Sequence, residues 1–336
     1  MEMPVRVTRF MCRARQALWF PLRQPTPQAA WNVAFSEVMA ATLCHAARQG
    51  GTVCKWTDGS TGPRSPDCQD RDVCLSPRLY LPRSQVQKRD FPSPVLVRAA
   101  EPAEVDGGFE SAVDVVMCGR TATAQESMIR ESMEAFGRAG FGPPGIRVNF
   151  DVVNLHVVFD GSLADLAGPA PTADSTVLVE LVTAVGWDPA RISHARGSRI
   201  RTETEEGAGL PLAWLLENVA DDLVRWDIED RGLSETVGRD ACEKFAAEAS
   251  HAAGTAAGRV TIEKAALREE EYGLDSRKSR TGPREGHHPL FGMSGFALLS
   301  GDLPSVWPWL LGAVARGAGQ QRGKGFGHVR LWRTRV

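Results

Sequence analysis

The sequence predicts an α+β fold of two tandem ferredoxin-like domains, each a split βαβ unit, with a helical insertion and a C-terminal glycine-rich loop. Residues 1–160 show the patterns of a strand, a helix, two strands, a helix and a strand, in that order. Residues 161–174 are rich in Ala, Gly, Pro and Asp, as linkers are. The same order of patterns then begins again in residues 175–336.

In the first domain, the two helices carry the clearest signals. Residues 28–48 are rich in alanine and place large apolar side chains at helical spacing, and Gly50 and Gly51 end the pattern. Residues 124–139 form the second predicted helix, which glycines and prolines then terminate. The predicted strands are 5–20, 94–98, 111–118 and 146–159, and residues 51–94 form a loop that carries cysteines.

The second domain follows from the same kinds of pattern. Its predicted elements are a strand at 176–182, helices at 210–226 and 237–253, a strand at 290–300, a helix at 303–315 and a strand at 326–332. The helix at 237–253 has no counterpart in the first domain, so residues about 230–256 are predicted to be an insertion. Two loops complete the domain, a basic one at 274–288 and a glycine-rich one at 316–327.

Charge is segregated along the chain, although the net charge is only −2. Residues 316–336 hold six Lys or Arg and no acid, and the first 23 residues hold five Arg against one Glu. Residues 203–248 hold thirteen acids against four bases. This distribution predicts a basic field from the two termini and an acidic face elsewhere. The alternative is a set of local solvated faces that cancel.

Several classes of protein are disfavoured by the composition. No apolar run is long enough for a transmembrane helix, and the N-terminus lacks the apolar region of a secretion signal. The seven cysteines are odd in number and have no regular disulfide spacing, which fits a reducing compartment. We therefore expect a cytoplasmic protein with no membrane partner.

The glycine-rich loop is the most informative segment. Five glycines between Gly317 and Gly327 free the backbone to expose its N–H groups, and Arg316, Arg322 and Lys324 add positive charge. Exposed amides beside cations suit a phosphate backbone. The loop follows a helix and opens a strand, which excludes a nucleotide-binding P-loop and a dinucleotide fingerprint. The alternative is a flexible hairpin connector.

The pattern G-x-G-x₃-G-x-G-F-G at 317–327, between a helix and a closing strand, resembles the C-terminal signature of the repeat-associated RNA-binding (RAMP) superfamily of CRISPR systems. Among its members, the repeat-processing endoribonucleases are the most similar. The segment 284–303 resembles their basic loop, G-x-x-G strand and following helix. Residues 177–183 resemble the first strand of their second domain, and the stretch from Cys54 to Tyr80 resembles a cysteine-bearing loop of some members.

This resemblance implies metal-independent cleavage of precursor CRISPR RNA within the repeat, and retention of the product stem-loop as part of an effector complex. The implied partners are precursor CRISPR RNA and other effector-complex subunits, and no cofactor is implied. The central region fits a divergent branch, such as the type IV systems. A non-catalytic subunit that binds CRISPR RNA is the alternative. A third hypothesis is a protein–protein scaffold that uses the acidic residues 203–248.

RNA cleavage without a metal uses the neighbouring 2′-hydroxyl as nucleophile and leaves a 2′,3′-cyclic phosphate. It needs a base, a cation near the phosphorane and an acid for the leaving oxygen. His45 is a candidate base, because it lies near the end of the first helix, where the resembling family often carries a catalytic histidine. Its alternative role is to interact with the helix dipole. Arg23 and Arg48 are candidates for charge stabilisation.

The predicted RNA-binding residues lie in the two loops of the second domain. They are Arg277, Lys278, Arg280, Arg284, Arg316, Gly317, Gly319, Gln320, Gln321, Arg322, Lys324, Gly325 and Gly327. For the basic loop, the alternative is an ordinary solvated loop. A zinc site could be built from Cys54, Cys68 and Cys74 with Cys44 or His45, but the spacings are irregular, so no metal is predicted.

Overall fold

The computed structural model describes eleven segments of the chain. They are residues 2–16, 27–44, 79, 83–84, 86–87, 89–142, 147–172, 174–187, 210–273, 289–319 and 327–333. These residues form helices and antiparallel sheets, which confirms the predicted α+β class. The chain divides into two compact units: unit 1 contains Met1–Leu166 and Asp222–Ala246, and unit 2 contains Ala167–Asp221, Ala247–Arg322 and Phe326–Val336.

Unit 1 is built on a five-stranded antiparallel sheet. Its strands are β1 (Pro4–Ala14), β4 (Val95–Ala99), β5 (Ala103–Val105), β6 (Gly108–Cys118) and β7 (Asp151–Ser162), and a separate hairpin joins β2 (Arg83–Ser84) to β3 (Arg89–Asp90). The order in space is β4-β6-β1-β7, with β5 paired to β6. Strand β1 therefore lies between β6 and β7, which are the third and fourth strands of this sheet along the chain when the short β5 is left out.

One face of this sheet is buried by helices. The helices are α1 (Pro27–Leu43), α2 (Arg120–Thr123) and α3 (Glu126–Ala139). Trp31 of α1 is fully buried, lies 5.1 Å from the ring of Phe141 and meets Phe136 of α3 edge to face at 5.5 Å. Asn32 exchanges hydrogen bonds of 2.7 and 2.8 Å with the backbone of Val97, which fixes α1 against β4.

The opposite face of the same sheet is covered at one end. The cover comes from Asp222–Ala246, the part of the following helices that belongs to unit 1. These helices are α4 (Leu212–Asp230), α5 (Ser234–Val237) and α6 (Arg239–Ala257). Trp226 packs on Phe91 and donates from its indole nitrogen to the carbonyl of Cys118 at 3.4 Å. Asp230 accepts the backbone N–H groups of Arg120 and Thr121 at 2.5 and 2.9 Å, and so satisfies the start of α2.

Unit 2 is built on a four-stranded antiparallel sheet. Its strands are β8 (Val177–Trp187), β9 (Val260–Gly273), β10 (Pro289–Gly301) and β11 (Val329–Arg333), and α7 (Leu303–Arg316) precedes the last of them. The order in space is β11-β8-β10-β9. Here too the first strand of the sheet lies between the third and the fourth.

Strand β9 was not predicted from the sequence. It pairs with β10 from Val260 to Gly273, along its full length. It is an edge strand, and its side chains from Glu263 to Ala266 are all exposed. An edge strand that buries little has weak apolar alternation, which explains why the periodicity gave no signal.

Among the described residues, no helix is long and apolar enough to span a bilayer.

Candidate nucleic-acid interface

The two ends of the predicted glycine-rich loop are joined by a backbone hydrogen bond. Helix α7 ends at Arg316, and Gly317 follows with φ of 77°, its N–H donating to the carbonyl of Ala313 at 2.9 Å. The N–H of Ala318 then donates to the carbonyl of Gly327 at 2.8 Å. The chain therefore leaves this point after Ala318 and returns to it at Gly327. We call this closure the neck.

Glycine is required in the neck for two reasons. Gly327 has φ of 77°, which is left-handed backbone that side chains with a Cβ disfavour. A Cβ on Gly327 would also collide with the carbonyl oxygen of Ala318. The neck is anchored to β8, because Val182 donates to the carbonyl of His328 at 2.9 Å and His328 donates to the hydroxyl of Thr183 at 2.9 Å.

Four of the predicted RNA-binding residues lie at this neck. Arg316 is 3% exposed, Gly317 and Gly327 are buried, and Gly319 is half-buried with φ of 74°. The Arg316 guanidinium is thus within the protein at the last residue of α7, where positive charge is favourable. Its direct contact with RNA stays a prediction. The glycines contribute backbone geometry.

The other predicted site residues lie outside the described segments. They are the catalytic candidates Arg23, His45 and Arg48, the basic-loop residues Arg277, Lys278, Arg280 and Arg284, and the glycine-loop residues Gln320, Gln321, Arg322, Lys324 and Gly325. Their roles stay predictions.

Unit 1 contains a basic groove that the sequence did not single out. Its cavity has a volume of about 550 Å³, and its charged lining consists of Arg13, Arg15, Arg147 and Asp151. Arg13 lies near the end of β1 and Arg15 lies in the bend that follows the strand, and both line the groove. Gly107, in the two-residue turn between β5 and β6, also lines the groove.

The third arginine reaches the groove through a close contact between α3 and the chain that follows it. Phe141 and Val148 exchange backbone hydrogen bonds of 2.8 and 2.9 Å, and Phe150 donates to the carbonyl of Gly137 at 3.2 Å. A Cβ on Gly137 would collide with the Phe150 carbonyl oxygen, so glycine permits this approach. Arg147 is exposed here, at the start of the returning segment.

The groove has excess positive charge. Arg13 pairs with Glu110 at 2.9 Å, and Arg147 donates to the carbonyl of Ala139 at 3.4 Å but forms no ion pair within the part of the chain that the structure describes. Arg15 is exposed and makes no ion pair with any described residue. Three guanidinium groups against Asp151 and Glu110 leave one net positive charge at the groove, which attracts anionic groups such as phosphates.

Further along the same face of the sheet, a fourth arginine, Arg9, is neutralised by an ion pair with an acidic side chain. Arg9 forms a two-point contact with Asp114 at 2.6 and 2.8 Å, and this hydrogen bonding raises the pKa of Arg9. His156 of β7 lies opposite Arg9 and is exposed. His156 and Arg9 therefore lie side by side on one surface of the sheet. Sequence reasoning missed His156, since nothing local distinguishes it.

The described residues contain no group of three or more His, Cys, Asp or Glu that could hold a metal ion. Cys44 is described and buried, whereas His45, Cys54, Cys68 and Cys74 lie outside the described segments. Burial raises the pKa of the Cys12 thiol to about 12, which keeps this cysteine protonated and unreactive.

The geometry of the neck predicts that substitution by alanine destabilises the protein much more at Gly327 than at Gly232, although both glycines have a similar positive φ. Gly232 has φ of 70° and open space around it, so Gly232→Ala is expected to cost about 1–2 kcal/mol for the left-handed conformation alone. Gly327→Ala adds a collision and is expected to cost a further ~1–3 kcal/mol. Urea unfolding measures both, and equal losses would contradict the account of the neck.

The groove predicts that Arg15→Ala and Arg147→Ala each weaken RNA binding and reduce the slope of log K against log salt by about 0.9, because each removes one phosphate contact. Filter binding at several salt concentrations measures this. The matched control is Arg130→Ala, an exposed arginine on α3 that pairs with Glu134 at 3.3 Å. An unchanged slope in both groove variants would remove the groove from the interface.

Comparisons with known proteins give structural similarities only. No protein-family model matches the chain, and no curated protein matches it in sequence. One similar solved structure is a Cas6 product complex, with a TM-score of 0.43, 10% identity, and coverage of 98% of this chain and 99% of the other. Another is a Cas6-related protein from Pyrococcus furiosus, with a TM-score of 0.36, 10% identity and 98% coverage of each chain. At this identity, the similarities assign no activity to this chain.

Proposed function

We propose that this protein is a metal-independent endoribonuclease that cleaves precursor CRISPR RNA within the repeat and stays bound to the product stem-loop. The observation that carries the proposal is the neck between Ala318 and Gly327. It holds together the two ends of a segment that carries Arg322, Lys324 and three further glycines. A segment rich in glycine and cations, with its two ends held together, is suited to a polyanionic strand.

We further propose that each sheet belongs to a ferredoxin-like domain. In that arrangement, a split βαβ unit places its first strand between its third and fourth. The orders β4-β6-β1-β7 and β11-β8-β10-β9 both meet this requirement. Tandem domains of this kind, separated near the predicted linker 161–174, match the resemblance to the RAMP superfamily.

The proposed reaction is attack of a 2′-hydroxyl on the adjacent phosphate. The oxygen of the 2′-hydroxyl bonds to phosphorus and the bond from phosphorus to the 5′-oxygen breaks. The 5′-oxygen takes a proton from solvent water, so that a 2′,3′-cyclic phosphate and a 5′-hydroxyl result. His45 would accept the proton of the 2′-hydroxyl, and Arg23 and Arg48 would stabilise the phosphorane. An enzyme that keeps its product needs few turnovers, so positioning the scissile phosphate supplies much of the rate.

Recognition of the hairpin would rest on shape and backbone. The deep major groove of A-form RNA excludes side chains, so cations outside it contact phosphates. Arg277, Lys278, Arg280 and Arg284 would serve this role together with Arg15 and Arg147 of the groove. Retention of the stem-loop would then let other subunits of a cytoplasmic effector complex assemble on it. A divergent, type IV-like branch is the proposed subtype.

A labelled repeat RNA is expected to be cut in EDTA, and a single 2′-deoxy substitution at the scissile nucleotide should abolish cutting, since it removes the nucleophile. Gel analysis before and after acid treatment detects the cyclic phosphate. Binding of the intact repeat without any cutting would contradict the enzyme and favour the non-catalytic RNA-binding subunit.

Arg23→Ala is expected to slow single-turnover cleavage at least about tenfold, because a lost transition-state contact is worth more than about 1.4 kcal/mol. Hairpin affinity should persist. The matched control is Arg239→Ala, an exposed arginine that pairs with Glu243 at 2.8 Å. A cleavage rate equal to that of the control variant would remove Arg23 from the site.

A further inference from the structure

Two large aromatic side chains are exposed on one face of the sheet of unit 2. Phe296 of β10 is 43% exposed and Trp332 of β11 is 50% exposed. The neighbours of Phe296 on the other face of β10, Ala297 and Leu299, are buried. Trp332 shares the face of Phe296, because the two residues lie opposite Leu178 and Glu180, which are two residues apart on β8. The two rings therefore lie on the face of the sheet that is turned away from its core.

The strand register brings the two rings to either side of β8. Phe296 lies opposite Glu180, and Trp332 lies opposite Leu178, two residues along the same strand. Strands that flank a common neighbour are ~10 Å apart. The indole nitrogen of Trp332 donates to the Glu180 carboxylate at 2.8 Å, which restrains the Trp332 side chain and leaves half of it open to solvent.

Cations surround the rings on this face. Lys264 lies opposite Leu298, Arg268 opposite Ser294, and Arg330 opposite Glu180. None of the three forms an ion pair with a described residue. The carboxylates nearby are engaged by neutral donors, Glu180 by the Trp332 indole and Glu263 by the hydroxyl of Ser300. The face therefore combines two exposed aromatic rings with three cations that make no ion pair with a described residue.

We propose that this face, defined by Phe296, Trp332, Lys264, Arg268 and Arg330, binds single-stranded nucleotides of the RNA, with a base stacked on each ring and phosphates on the cations. Every base has an apolar π-face that is available only when the strand is unpaired. A duplex would offer the cations its phosphates but hide its bases from the rings. The proposal rests on the RNA-binding function above and adds that unpaired nucleotides beside the hairpin have a surface of their own.

The test compares a hairpin RNA with the same hairpin extended by a single-stranded uridine tail, each measured by fluorescence anisotropy. The wild-type chain is expected to bind the tailed RNA more tightly. Phe296→Ala and Trp332→Ala should each reduce that advantage by about 5- to 100-fold and leave affinity for the blunt hairpin unchanged, since stacking on one aromatic ring contributes this much. Trp332→Phe, which keeps a ring, should restore most of it.

The matched control is Phe245→Ala. Phe245 is an exposed aromatic residue on α6, with 45% exposure, outside the proposed face. A tail advantage that is absent in the wild type, or lost equally in Phe245→Ala, would overturn the stacking surface while hairpin binding upheld the proposed function. Failure to bind either RNA would overturn both. Tail binding without hairpin binding would support the surface and contradict hairpin retention.

Discussion

Each of the two large antiparallel sheets has one face buried by apolar side chains, and the rest of the structure depends on how the other face meets water. Burying Trp31, Phe35 and Phe136 removes a large apolar area from solvent, which supplies most of the stability of such a layer. The opposite face cannot be apolar throughout without aggregating. The chain meets this constraint differently in its two units.

In unit 1, part of the opposite face is covered by another segment of the chain, and the rest carries charged side chains. Trp226 and Asp230 fasten the segment Asp222–Ala246 over the end of β6 and the start of α2. Beyond that segment, Arg9 and Arg13 are paired across the strands with acidic residues. Exposed ion pairs of this kind add little stability, but they keep this face of the sheet polar. The row of arginines along β1 continues into the groove, which has a net positive charge.

In unit 2, the opposite face carries the exposed side chains of Phe296 and Trp332 together with cations that make no ion pair with any described residue. The same unit holds the neck, where Gly327 allows two backbone segments to come closer than any side chain would permit. The exposed rings leave apolar area in contact with water, and the proposed stacking of bases would cover that area.

The sequence by itself determined the helices and most strands, since apolar periodicity is local and α1, α3 and α7 bury one stripe each. It also determined that glycines and cations alternate before the last strand. Only the tertiary structure decided the strand orders, the pairing of β9, the meeting of Arg13 and Arg15 with Arg147, and the placement of Phe296 and Trp332 on either side of β8. The physical reason is that these contacts join residues far apart in sequence, whose register is set by packing and backbone hydrogen bonds rather than by local propensity.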